Sequence, residues 1–302
     1  MTDGGGRPPD AHPDSFVIGR GGSPVWLKVH RCAWSGRHAP NSLDAVRECH
    51  RARVARAEAD LWLLRDADGV IDHDGLIELP GRGTVSAAEV DRGDLLAMPA
   101  GERPPLLSEL VELVRGEPYP TLIELDLKDE MPWPAERVDE VVGRVSSIRE
   151  RVTLAGCDDE TLRRLAAADP LLSVGFNPAY HLDWLPDDLG EELAGPPGPD
   201  GWFDRTGGRT PGERLAAVRA LVPTAGELHL RLEAFERLLL ETDRDVVEQL
   251  HDDGWAIDVW TLDAEMADWR TRLDAVLAAG VDMITTNTAP ILAAAARDHP
   301  PR

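Results

Sequence analysis

From Val25 onward, short apolar runs alternate with longer helical patterns, and no internal boundary interrupts them up to about residue 297. This feature restricts the fold most, because strands separated by helices pair in parallel and need an α/β arrangement covered on its outer faces. Strand patterns fall at VWLKVH (25–30), ARAEADLW (55–62), VIDHD (70–74), TLIELDLK (121–128), RVTLAG (151–156), LLSVGF (171–176), GELHLRL (226–232), WAIDVW (255–260) and DMITT (282–286). Helical patterns cover 42–53, 106–114, 138–148, 159–168, 214–221, 243–252, 267–279 and a last stretch to about 297, with Asn41 or Ser42 as a cap for the first.

The expected fold class is α/β, a TIM-type (β/α)8 barrel, which typically takes ~250 residues. Nine strand candidates for eight staves leave room for distortion. The two in 55–73 are joined by RDADG, too short for a crossover helix, so they form a hairpin at the rim or one of them is no strand. An open doubly wound sheet is the alternative, although no GxGxxG motif supports nucleotide binding. Residues 1–23, rich in Gly, Pro and Asp, are expected to be a disordered lead-in, and 24–298 a single barrel domain. Residues 74–105 show no regular pattern. The 185–212 segment, with GPPGPDG, Trp202 and Phe203, is expected to be a long loop that covers an apolar or large substrate or simply packs down.

The formal net charge of -23 argues against nucleic acid as a partner and against docking to anionic membranes. An anionic substrate would need a locally positive pocket, built from a metal or a basic cluster. Cys32, Cys49 and Cys157 form no CxxC pair, and no apolar run approaches the ~20 residues of a membrane span. The expectation is a reduced, soluble, cytoplasmic chain that is not an integral membrane protein; its oligomeric state is not written in the sequence. Among 32 Lys and Arg residues only Lys28 and Lys128 are lysine, which suggests a need for a compact ammonium at those places.

Strand alternation sorts the polar residues. In TLIELDLK, Glu124, Asp126 and Lys128 share a face opposite Ile123, Leu125 and Leu127. In ARAEADLW, Glu58, Asp60 and Trp62 share a face, and in VWLKVH, Trp26, Lys28 and His30 do. His73 lies at the end of the VIDHD strand pattern, before Asp74, and Asp258 and Trp260 share a face of WAIDVW. In a barrel the C-terminal strand ends converge on one mouth. There carboxylates can hold Mg²⁺ or Ca²⁺ through oxygen, two histidines can exchange protons, and Arg31 can grip phosphate.

The order of these pieces carries a resemblance. HR at 30–31, then APNSLDAVREC and EADLWLLRDADGVIDHD, resembles the opening of the glycerophosphodiester phosphodiesterases. PPLLSELVELV, ELDLK, AGCDDETLRRL, VWTLDAE and AGVDMITTNTAPIL resemble its later landmarks, so that the likeness spans residues 25–296. It implies a metal-dependent phosphodiesterase acting on a small-molecule or lipid phosphodiester, with His30 and His73 as acid–base pair and Arg31 and Lys128 on the phosphate. It further implies Glu58 and Asp60 as ligands of a divalent metal, Mg²⁺ or Ca²⁺. The family usually carries Glu-x-Lys where this chain reads Glu124-Leu-Asp126-Leu-Lys128. Asp126 is taken as the third ligand, because it keeps the acid-x-Lys spacing and lies nearer the mouth. Asp126, and Trp260 as part of the substrate pocket, also resemble the related phospholipase D enzymes that make cyclic phosphates. Cys32 replaces the Gly that follows HR in the family, and Pro40 replaces a Glu. The hydrolase is ranked above a lyase releasing a cyclic phosphate, with a noncatalytic barrel binding a phosphorylated ligand and an unrelated α/β enzyme as further alternatives.

Overall fold

The structure is a computed structural model that describes residues 10–19, 22–66, 68–129, 131–181, 211–241 and 246–298. Eight strands form the frame: β1 (Pro24–Val29), β2 (Arg56–Leu63), β3 (Leu122–Leu127), β4 (Val152–Gly156), β5 (Ser173–Phe176), β6 (Glu227–Arg231), β7 (Ala256–Trp260) and β8 (Met283–Thr286). Each pairs in parallel with its sequence neighbour, and β8 pairs with β1, so the sheet closes into a barrel. The expected (β/α)8 architecture is what the chain adopts.

The period of two along each strand explains the closure. Leu27, Leu61, Leu125, Leu154, Phe176, Leu228 and Ile257 face outward and are buried under the surrounding helices in one large apolar cluster. Helix Leu107–Gly116 contributes Leu107, Leu110, Val111 and Val114 to that cluster, at the three- and four-residue spacing of an amphipathic helix. The inward face is polar, where barrels of this type are usually filled by branched apolar side chains.

Strand Gly69–Ile71 settles the count of nine candidates. It runs antiparallel to the end of β2, outside the barrel, as the rim hairpin. The stretch after it, expected to be irregular, contains a hairpin of Leu76–Leu79 with Gly83–Ser86 and a short helix, Arg92–Leu96. A small core of its own, including Leu64, Val70, Ile77, Leu79, Leu95 and Leu106, holds this insertion together.

Two other expectations change. Within the expected lead-in, Phe16–Ile18 forms a strand that pairs antiparallel with Pro24–Trp26, and the Phe16 ring meets Trp26 edge-on at 5.8 Å. Its apolar Phe-Val-Ile run outweighs the Gly and Pro around it. Helix Leu232–Glu241 was not anticipated, because it begins directly where β6 ends. The 185–212 loop, with Trp202 and Phe203, lies outside the described residues except at its last two positions, which open helix Pro211–Leu221.

Candidate active site

β1 delivers His30, Arg31 and Cys32 to the mouth as a short turn of 3-10 helix. Arg31 and Cys32 both have positive φ, 50° and 55°. Cys32 therefore adopts the left-handed backbone that a glycine would favour. It is held there by complete burial of its side chain and by a thiol contact of 3.3 Å to the Glu58 carbonyl. The turn directs the Arg31 N–H at Glu58 Oε2 (2.8 Å).

β2 and β3 are in register, with Glu58 opposite Glu124 and Asp60 opposite Asp126. Carboxylate oxygens of Glu58, Asp60 and Asp126 lie within 4.8 Å of one another. Lys128 Nζ stands between two of these acids, 2.9 Å from Asp60 Oδ1 and 2.6 Å from Asp126 Oδ2. Arg31 Nε lies 3.3 Å from Asp60 Oδ2. Asn41, considered as a helix cap, has another task. The cap of helix Leu43–Arg51 is Ser42, whose hydroxyl accepts from Ala45 N, while Asn41 clamps Asp60 from both sides. Its amide donates to Asp60 Oδ2 (2.7 Å) and its oxygen accepts from Asp60 N (3.1 Å).

The electrostatics divide the acids. Burial, then the charges of Asp60 and Asp126, push Glu58 well above the usual carboxylate range. For Asp60 burial acts upward too, but Lys128 and Asn41 outweigh it and hold the group below its ordinary value. Burial would lower Lys128, yet Asp126, Asp60 and Glu58 keep it firmly protonated. Glu58 Oε1 is buried without a hydrogen-bond partner among the described residues. An orphaned carboxylate oxygen beside two further acids fits a hard divalent cation, which would supply the missing positive charge.

His30 adjoins this group. Its Nε2 is 3.8 Å from Glu58 Oε2, and its Nδ1 is 2.9 Å from Asn287 Oδ1. Asn287 in turn donates through its amide to Asp263 Oδ2 (2.7 Å) and through its backbone N–H to Asp263 Oδ1 (2.6 Å). With Asp263 fixing the amide this way, Asn287 can only accept from His30. The imidazole proton is thereby placed on Nδ1, and the Nε2 lone pair faces the acids. Burial depresses the His30 pKa, which favours that neutral form. Asn287 and Asp263 were not singled out in the sequence, although Asn287 lies in TTNT, a polar run across the end of the last barrel strand.

His73 sits on the turn after Gly69–Ile71, with Nδ1 2.6 Å from Asp74 Oδ1. It lines a cleft of about 770 Å³ together with Arg31, Asn41, Arg47, Asp72 and Arg103. Trp260 stands at the end of β7, half-buried, opposite Arg231 in register, and is not among the residues lining that cleft.

Beneath the mouth lies a second polar layer. Lys28 Nζ is 2.5 Å from Glu124 Oε2 and 2.8 Å from Asp258 Oδ2. His229 Nδ1 is 2.9 Å from Asp258 Oδ2, Thr285 donates to Asp258, and Arg56 pairs with Glu227 at 2.8 Å. Lys28 and Arg56 face Glu124, Glu227 and Asp258, and His229, whose pKa Glu124 and Asp258 raise against the effect of burial, stands among them. This group escaped the sequence reading, which noted Lys28 and Asp258 but could not see them meet.

The chain is thus a closed parallel barrel of the TIM class whose mouth gathers three carboxylates, a lysine, an arginine and a histidine, a set suited to an anionic ester beside a divalent cation. The sequence pattern of the glycerophosphoryl diester phosphodiesterase family matches residues 30–289, and the chain belongs to that family. No curated protein matches the chain in sequence. Among solved structures it is similar in fold to a glycerophosphodiester phosphodiesterase from Parabacteroides distasonis, with 16% identity and TM-score 0.63 over 90% of this chain and 96% of that one. One from Thermotoga maritima gives 18% identity and TM-score 0.59 over 88% and 96%. An Oleispira antarctica phosphodiesterase in complex with the product sn-glycerol-3-phosphate gives 17% and 0.56 over 90% and 97%. Among the described residues no helix is long and apolar enough to cross a membrane, and the three cysteines are free thiols.

Proposed function

We propose that the protein is a divalent-metal-dependent glycerophosphodiester phosphodiesterase working through two histidines, carried on one barrel domain over 24–298. The observation that carries this reading is the approach of Glu58, Asp60 and Asp126 at one point of the mouth, with Lys128, Arg31 and His30 around them. Glu58, Asp60 and Asp126 would hold Mg²⁺ or Ca²⁺, which when bound supplies positive charge to the phosphate oxygens. Arg31 and Lys128 add donors for the same oxygens. His30, with its proton kept on Nδ1 by Asn287, takes a proton through Nε2 from the attacking hydroxyl. His73, exposed at the cleft, gives one to the leaving oxygen. Trp260 is assigned to the substrate pocket. The bound sn-glycerol-3-phosphate of the Oleispira antarctica enzyme supports a glycerophosphodiester as substrate.

The test is a panel of glycerophosphocholine, glycerophosphoethanolamine, glycerophosphoglycerol and glycerophosphoinositol with Mg²⁺ or Ca²⁺. Turnover that EDTA abolishes, and that Asp60→Asn lowers by about a thousandfold in a folded protein, is expected for loss of a principal charge-stabilising group. Full turnover in metal-free buffer would refute the metal assignment. A barrel that only binds a phosphorylated ligand would show affinity for sn-glycerol-3-phosphate and no turnover.

A further inference from the structure

His73 reaches the cleft from a turn, not from a strand, and its side chain is 44% exposed. Its position therefore depends on the backbone of residues 72–75. One residue of the barrel rim holds that backbone beside the imidazole itself. Trp62, two residues past Asp60 on β2, donates its indole N–H to the His73 carbonyl at 3.1 Å. Gly75, with φ of +63°, passes directly against the same ring: a Cβ at residue 75 would stand 2.6 Å from the indole carbons. Only a residue without a side chain can approach so closely.

The remaining contacts shape the turn, and among them only Asp72 N meets a site acid, through the Asp60 backbone carbonyl. Asp72 Oδ2 accepts from Asp74 N (3.0 Å) and Gly75 N (2.8 Å), which closes an Asx turn. The strand before it is anchored through Ile71 N to Pro105 O (2.8 Å), and Ala87 N donates to Gly75 O (2.8 Å). These bonds tie the turn to itself and to the insertion. Asp72 N to Asp60 O (3.2 Å) and the Trp62 contacts tie it to β2, the strand of Glu58 and Asp60. Trp62 also packs against the small core of the insertion. A flat apolar body with a single polar edge suits this position: the ring supports Gly75 while the edge fixes the carbonyl next to the imidazole.

We propose that Trp62 is a positioning residue that holds the His73 turn against β2, and so keeps the imidazole at the cleft in register with the acids of that strand. This rests on the acid–base role given to His73 above. The expected consequence is that Trp62 acts on turnover through His73 and not on its own account. Loss of the indole N–H alone leaves the ring under Gly75 and loosens one anchor. Loss of the whole side chain frees the turn.

The experiment measures kcat and KM for Trp62→Phe, Trp62→Ala, His73→Ala and the double variant Trp62→Ala/His73→Ala, with saturating Mg²⁺ and the glycerophosphodiester turned over best in the panel. Trp62→Phe is expected to lower kcat about threefold to tenfold and Trp62→Ala about a hundredfold, with KM within about twofold, as for loss of alignment at a reacting group. The double variant is expected to be within about threefold of His73→Ala alone, since two residues acting through one group do not add. Multiplying effects in the double variant would overturn the proposal, because Trp62 would then act independently of His73. A folded Trp62→Phe at the wild-type rate would overturn it too, and decides the matter if Trp62→Ala does not fold. If His73→Ala keeps full activity, the role of His73 fails and the inference falls with it. An impaired His73→Ala beside unimpaired Trp62 variants overturns the inference alone.

Discussion

Glu124 and Asp126, two residues apart on the inward face of β3, belong to separate groups. Asp126 joins Glu58 and Asp60 at the mouth, whereas Glu124 lies one layer deeper, 2.5 Å from the ammonium of Lys28. The two acids therefore answer to different tests. Asp126→Asn is expected to weaken Mg²⁺ binding at least about tenfold while the protein stays folded, because it removes one charged oxygen donor. Glu124→Gln should leave Mg²⁺ affinity within about threefold and lower stability by about 3 kcal/mol, the low end for breaking a buried ion pair, since Asp258 still faces Lys28. Calorimetric titration with Mg²⁺ and urea unfolding measure the two. A Glu124→Gln protein that loses its metal would reverse the assignment.

Lys128 bridges Asp60 and Asp126 through a single nitrogen, at 2.9 and 2.6 Å, a geometry that suits a compact point charge better than a planar guanidinium whose donors are spread over a rigid fork. Lys128→Arg is thus expected to lower kcat/KM about tenfold or more without loss of charge or fold. Steady-state kinetics beside a thermal melt check this, and an unimpaired Lys128→Arg enzyme would show that only the charge matters.

The deeper layer predicts a pH dependence of stability. Burial would lower the His229 pKa, but the charges of Glu124 and Asp258 and the hydrogen bond to Asp258 raise it above the ordinary value of 6.5. The folded state thus binds this proton more tightly than the unfolded one. The stabilisation is complete below 6.5 and is lost as pH rises through the raised folded value. Urea unfolding of the wild type should accordingly show falling stability above pH 6.5, and His229→Gln should show a flatter profile there. Equal slopes in both proteins would mean that His229 is not the group responsible.

The barrel was readable in the sequence because its signals are local. Period-two runs marked the eight staves, and the same alternation put Glu58, Asp60, Asp126 and Lys128 on inward faces. The nearness of Asp126 to the strand end separated it from Glu124. What could not be read depends on partners far apart along the chain. Lys28 meets Glu124 across 96 positions and His229 across 201, and His30 meets Asn287 across 257. No spacing rule connects such pairs until the barrel closes. Helix Leu232–Glu241 was hidden for a different reason: Leu232 follows Arg231 of β6 with no Gly, Pro or polar cap to mark the change of period.

Asn287 offers a sequence-distant control over His30. Its oxygen accepts from Nδ1, and its amide is held by Asp263. Asn287→Ala removes the acceptor that selects the tautomer, so kcat should fall about tenfold to a hundredfold with KM nearly unchanged. Asp263→Ala should have the same sign and a smaller size, because the amide then turns freely. If Asn287→Ala changes KM alone, the residue binds substrate and does not orient the base.

The route of cleavage is the last point the site bears on. If His30 and His73 act as the acid–base pair proposed above, a hydroxyl of the substrate itself can attack phosphorus while the alcohol leaves on the opposite side. Glycerol carries such a hydroxyl next to the phosphoester. Attack by it forms a five-membered cyclic phosphate, transfers the hydroxyl proton to one histidine and releases the alcohol with a proton from the other. Water then opens the ring in a hydrolase, and does not in a lyase. Asp126 and Trp260 resemble the cyclising branch, while membership in the glycerophosphoryl diester phosphodiesterase family favours ring opening. Both share the first step, so a cyclic phosphate is expected as intermediate or product. Phosphorus NMR during turnover of glycerophosphocholine should show its downfield resonance, and ¹⁸O-labelled water should enter the product only if the ring is opened. The 2-deoxy analogue of that substrate should be inert. Cleavage of the analogue at the rate of the parent would mean that water attacks phosphorus directly, with His30 activating that water in place of the neighbouring hydroxyl.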